Sequence, residues 1–119
     1  MEIGSNLDAG LVEEFVGAGE LIRLARGRSV YAQGEPASHV YFLLDGQAKS
    51  VLRNSDGGEC LLRIHLPHSL MGLTALSTSA IRDAEAVTIA DAELVRIDRL
   101  RFRELMALKI GRASRRERV

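Results

Sequence analysis

The sequence predicts a mainly β domain, a double-stranded β-helix (jelly-roll) barrel flanked by short N- and C-terminal helices. Three observations carry that prediction. Helical periodicity is confined to the two ends of the chain. Between them, seven or eight short alternating runs follow one another closely, as in a sandwich or barrel. Clusters of Gly, Asp, Asn, Ser and Pro separate those runs. The 119 residues suffice for one domain and one modest core. The expected layout is a single domain over 1–119, with the barrel at about 20–98, the last helix at about 98–110 and a basic tail at 111–119.

Residues 6–18, NLDAGLVEEFVGA, set Leu7, Leu11 and Phe15 at i, i+4 and i+8, with Val12 and Val16 beside them. This is one face of a short amphipathic helix, N-capped by Asn6 or Asp8 and ended by Gly17 and Gly19. The period then changes to two. ELIRLAR and SVYAQ are strands separated by Gly27, and QGEPAS (33–38) is a turn. HVYFLLDG is a strand stopped by Asp45-Gly46, a hairpin signal. QAKSVLR runs to a second turn, NSDGG (54–58).

In ECLLRIHL (59–66), Cys60, Leu62, Ile64 and Leu66 share one face, and Glu59, Leu61, Arg63 and His65 the other. On this phase Cys60 belongs to the core and His65 faces outward. Pro67 ends the run. AEAVTIA and ELVRID are two further strands around a short turn. Asp98 caps the final helix, RLRFRELMALKI, which directs Phe102, Leu105, Met106 and Ile110 to the core. Gly111 closes that helix, and GRASRRERV is left as a frayed polar tail.

Composition narrows the function classes. Lys and Arg number 16 and Asp and Glu number 16, so the basic excess of a nucleic-acid-binding domain is missing. No apolar run has the length of a membrane span. The start, MEIGSNLDAG, is not a secretory signal, and one cysteine forms no internal disulfide, which makes a cytoplasmic location the expectation. No Walker loop, H-E-x-x-H or triad motif is present, so the domain is expected to be non-catalytic and to need no cofactor. His65 and His68 have H-x-x-H spacing but lack a third ligand. The two-histidine-plus-Glu motif of cupins is absent.

The informative stretch is LMGLTALSTSAIRDAEA (70–86). A Gly leads into a short helix-forming run, and Arg82 follows ten residues after Gly72. Together with GEPASHVYFLLDGQAKS, DGGECLLRIHLPHSLMG and IRDAEAVTIADAELVRIDRLRFREL, it resembles the cyclic-nucleotide-binding domain of the catabolite-activator and fumarate–nitrate regulator superfamily. The resemblance covers roughly residues 10–110 and implies a β-roll with a phosphate-binding cassette. In that family a Gly opens the cassette, a Glu after it takes the ribose 2′-hydroxyl, and an Arg followed by Ser or Thr holds the cyclic phosphate. Residue by residue, the cassette of this chain is Gly72, Leu73, Thr74 and Ala75, then Arg82, Asp83 and Ala84.

Gly72 and Arg82 match the pattern. Leu73 stands where the ribose-binding Glu belongs and accepts no hydrogen bond. Asp83 stands at the Ser/Thr position, and His68 and Ser69 replace a Gly-Asp. Losing one hydrogen bond to a charged partner costs about 1.5–3 kcal/mol. A carboxylate near a phosphate adds roughly 1–3 kcal/mol of repulsion at an effective dielectric near 20.

The reading is a regulatory sensor domain whose cassette geometry persists and whose cyclic-nucleotide chemistry is lost. Asp83 is read as opposing the phosphate, with an internal pair to Arg82 as the alternative, and Leu73 is expected to pack into the core. The expected partners are a small ligand and at most a weak second copy, with no nucleic acid and no membrane. An interaction scaffold with a dead pocket and a cupin-like metal enzyme are the alternatives.

Overall fold

The computed structural model describes residues 9–77 and 80–117. Helix α1 (Ala9–Ala18) precedes eight strands: β1 (Glu20–Leu24), β2 (Ser29–Tyr31), β3 (His39–Asp45), β4 (Ala48–Arg53), β5 (Glu59–His65), β6 (Leu70–Met71), β7 (Glu85–Thr88) and β8 (Ala92–Asp98). Helix α2 (Arg99–Glu117) follows. The strands form two antiparallel four-stranded sheets, ordered β1-β8-β3-β6 and β2-β7-β4-β5. This is the expected jelly-roll order, with the two sheets left unclosed. Leu7 and the proposed N-caps lie outside the described residues.

The alternation of β3 explains both cores. Tyr41 and Leu43 point between the sheets and join Tyr31, Ala48, Met71, Ala86, Ala92 and Leu94. Val40 and Phe42 point the other way and join Phe15 of α1 and Phe102 and Leu105 of α2. Both faces of β3 are covered, so its apolar run is nearly continuous. The Phe15 ring lies 5.0 Å from Phe42 and 5.9 Å from Phe102, which locks the two helices onto the sheet.

Asp45-Gly46 does not form the expected hairpin. β3 and β4 belong to different sheets, and the pair carries the chain across the sandwich. Gly46 has φ +90°, and a Cβ there would meet the Asp91 carbonyl oxygen at 2.3 Å. The NSDGG turn does close a hairpin: Asn54 N–H donates to Gly58 O at 2.8 Å, joining β4 to β5. A second crossing, from β1 to β2, is held by Thr88, which is fully buried. Its hydroxyl donates to Ala25 O at 2.7 Å and accepts from Arg28 N–H at 2.9 Å.

Two further expectations are corrected. In β5 the phase is inverted: Cys60 is exposed, and His65 is the one buried residue of the strand. A bulge between Ser50 and Val51 leaves Leu62 without a cross-strand partner, and β5 is a sheet edge, so its aliphatic residues stay exposed. Helix α2 does not stop at Gly111 but continues to Glu117. One Gly costs about 1 kcal/mol in a helix, and the Arg, Ala and Glu residues around it are good helix formers. Asp98 caps α2 as expected, accepting from Leu100 N–H at 3.0 Å. No helix among the described residues is long and apolar enough to cross a membrane.

Candidate functional site

Arg82 is the centre of the site. The turn at 34–37 fixes its backbone: Gly34 N–H donates to Arg82 O, Arg82 N–H to Glu35 O, and Ala37 N–H to Ala80 O, all within 2.6–2.9 Å. Gly34 sits at φ +90°, which allows that turn. The side chain is 3% exposed. Nη1 donates to Gly72 O at 2.8 Å and Nη2 to His39 O at 2.5 Å. The guanidinium lies 4.1 Å over the Tyr31 ring and 5.9 Å from that of Tyr41. Stacking of this kind contributes about 0.5–2 kcal/mol.

None of the ion pairs among the described residues involves Arg82, and its Nε has no hydrogen-bond partner there. The alternative Asp83–Arg82 pair is therefore absent from the ion pairs of the described residues; Asp83 is exposed. A buried cation held by carbonyls alone lacks the counter-charge that burial calls for. Burial pulls the Arg82 guanidinium below its ordinary value, against the favourable influence of Tyr31, Tyr41 and the Glu35 and Asp83 carboxylates. Burial also raises the phenols of Tyr31 and Tyr41, partly opposed by Arg82. Both therefore stay neutral at ordinary pH.

Gly72 opens a single 3-10 turn, Leu73–Leu76, at φ +77°. Beside Gly72 lies a cavity of about 330 Å³, the lower end of the size range of small-ligand sites. Gly72, Leu73, Thr74, Asp83 and Ala84 line it, so the structure brings together most of the sequence-derived set. Neither Arg82, buried next to Asp83, nor Ala75 is among the lining residues; Ala75 packs in the helix-side core with Phe42. Leu73 is 48% exposed and lines the cavity, where core packing was expected.

Sequence reasoning missed the other walls: Tyr31 of β2, Ser50 of β4, Leu62, Arg63 and His65 of β5, and Leu70 and Met71 of β6. His65 is 6% exposed, and its Nε2 lies 2.6 Å from Ser50 Oγ. Burial first, then Arg63, pushes its imidazole down to about 4. His68 stacks on Phe42 instead, at φ +70°, a conformation suited to the Gly expected there by resemblance. The two histidines have separate partners, and the described residues contain no group of three or more metal-binding side chains. A second cavity, about 390 Å³, is lined by Arg23, Asp45, Asp91 and Glu93 among others. Its acids are partly engaged, Glu93 by Arg23 and Asp91 by Arg26 N–H.

The site is tied to α2. Arg103 donates from Nη2 to Leu76 O at 2.7 Å, at the end of the 3-10 turn. Farther along, Lys109 pairs with Glu14 of α1.

Comparison with known proteins gives a consistent picture. Residues 21–109 match the cyclic nucleotide-binding domain family. The chain is similar to the CRP-like cAMP-activated global transcriptional regulator of Mycobacterium tuberculosis, 34% identical over 82 residues, covering 69% of this chain and 37% of that protein. It is similar in fold to the c-di-GMP-responsive global regulator of Xanthomonas campestris, with a TM-score of 0.81 and 24% identity over 92% of this chain and 53% of that one. The catabolite activator protein of Thermus thermophilus superposes with a TM-score of 0.72 and 22% identity, over 93% of this chain and 57% of that one. The chain thus spans between about a third and three fifths of the length of these relatives.

Proposed function

The chain belongs to the cyclic nucleotide-binding domain family, and from that premise we propose that it is a non-catalytic sensor domain of a transcription regulator whose pocket takes a small anion other than a tightly held cyclic nucleotide. The observation that supports this reading is the Arg82–Leu73 pair. Arg82 is a buried cation without a carboxylate partner among the described residues, while Leu73 leaves a ribose hydroxyl no acceptor on the rim. The anion would supply the charge that Arg82 lacks, through charge-assisted hydrogen bonds. Gly72, Leu73, Thr74, Arg82, Asp83 and Ala84 are the proposed ligand residues, and Ala75 serves the fold.

Relatives named for cAMP and c-di-GMP make nucleotides the reference ligands. Against them, Leu73 and Asp83 each cost roughly 1–3 kcal/mol. Calorimetry tests the reading. The wild-type protein should bind cyclic AMP and cyclic GMP no better than millimolar. Leu73→Glu with Asp83→Ser should gain about 2–4 kcal/mol, and adding Arg82→Ala should cancel the gain. Micromolar binding by the wild type would overturn the proposal.

We further infer a monomer or weak homodimer. Helix α2 runs seven residues beyond Ile110, but the added sequence, GRASRRE, supplies no large apolar side chain for a seam.

A further inference from the structure

We propose that Ser50, His65 and Arg63 form a second subsite in the same cavity, so that the ligand is an anion carrying a second oxygen acceptor, a carboxylate or a carbonyl, at its other end. The inference rests on the reading that Arg82 takes the first anionic group. In the cavity next to Gly72, the wall given by the β4–β5 hairpin is rich in donors. Ser50 and Arg63 are register partners, and Ala48 and His65 form the pair two residues farther along, so Ser50, Arg63 and His65 share the cavity. The pairing from Ala48–His65 to Ser50–Arg63 is in unbroken register, so period-two alternation puts the three on one face.

His65 Nε2 is taken by Ser50 at 2.6 Å, and Nδ1 has no partner among the described residues and is not sealed from solvent. We assign the Ser50 proton to Nε2, which leaves the ring proton on Nδ1 as a donor toward the cavity. Arg63 has no ion pair among the described residues and presents a planar fork of donors at the mouth. Asp83, exposed on the rim, is the one carboxylate in the lining. A ligand hydroxyl finds few acceptors there, whereas a carboxylate or carbonyl oxygen meets donors on both sides.

Calorimetry with four- to six-carbon straight-chain acids distinguishes the outcomes. At each length the probes are the monocarboxylate, its ω-hydroxy acid, the dicarboxylate and the dicarboxylate monoamide. The expected result is a preferred length at which the dicarboxylate and monoamide bind at least tenfold tighter than the other two. The double variant Ser50→Val, His65→Leu, which replaces the polar pair by an apolar one, should abolish that preference. Arg63→Gln, at an exposed position, should remove only the margin of diacid over monoamide. Arg82→Met should abolish binding of all four. If all four acids bind equally and Arg82→Met still abolishes binding, the anion reading stands and the second subsite falls. If the acids do not bind, or if Arg82→Met changes nothing, the anion reading falls and takes the second subsite with it.

Discussion

A methyl group added to Gly72 would lie 2.7 Å from Nη1 of Arg82. The glycine and the arginine fit one another: the left-handed backbone at 72 brings its carbonyl onto the guanidinium, and the missing Cβ leaves the guanidinium its space. Gly72→Ala should therefore destabilise the domain by about 2–4 kcal/mol, combining left-handed strain with displacement of a buried cation. Urea denaturation measures it, and a loss below about 0.5 kcal/mol would contradict the fit.

His65 should make the fold acid-sensitive. Its folded-state value, about 4, lies below the ordinary 6.5. Above pH 6.5 the imidazole is neutral in both states and contributes nothing to the pH dependence. Below 6.5 the unfolded chain takes up a proton that the folded chain refuses, so stability falls as pH drops toward 4. The full effect is about 3 kcal/mol. Denaturant midpoints for the wild type and for Ser50→Val, His65→Leu should diverge at pH 7 and pH 4.5 differently, the variant losing less on acidification. Equal losses would refute the assignment.

Thr88→Val keeps the shape of a buried side chain and removes its hydroxyl. Arg28 N–H then loses its acceptor and Ala25 O a donor. The expected cost is about 1–3 kcal/mol. Faster amide exchange at Arg28 should accompany it, because that hydrogen bond holds the crossing between β1 and β2.

Phe15→Ala should cost about 3–5 kcal/mol. Phe15 is the residue of α1 whose ring meets both Phe42 and Phe102. Protection of α2 amides should fall along with that of α1. Loss confined to α1 would show that the ring contacts do not couple the helices.

The strands, the two flanking helices and the Gly72–Arg82 spacing were legible in the sequence because each follows from local chemistry. Alternation marks strands, glycine marks positive φ, and Asp98 is a side-chain cap. What stayed hidden depends on partners distant in sequence. Asp45-Gly46 signals a reversal equally well within a sheet or between two sheets. The alternation in β5 has no intrinsic inside, and its pairing with β4, with His65 opposite the buried Ala48, decides which face is covered. His65 was therefore assigned to the wrong face, and the Ser50–His65 wall went unseen. β6, two residues long, carries no period at all. Leu73 reads as a core residue on hydrophobicity alone, and the 3-10 turn places it on the rim. Gly111 is a stop signal that its helix-forming neighbours override.

The grip of Arg103 on the Leu76 carbonyl gives the pocket leverage. Fourteen residues of α2 lie beyond Arg103, a shaft of about 21 Å. A tilt of about 10° at that attachment swings the far end by roughly 4 Å. The Lys109–Glu14 pair ties the shaft to α1 part-way along its length. Whatever settles the 3-10 turn into one position also aims α2, so an ångström-scale adjustment beside Gly72 becomes a several-fold larger excursion at the far end of that helix.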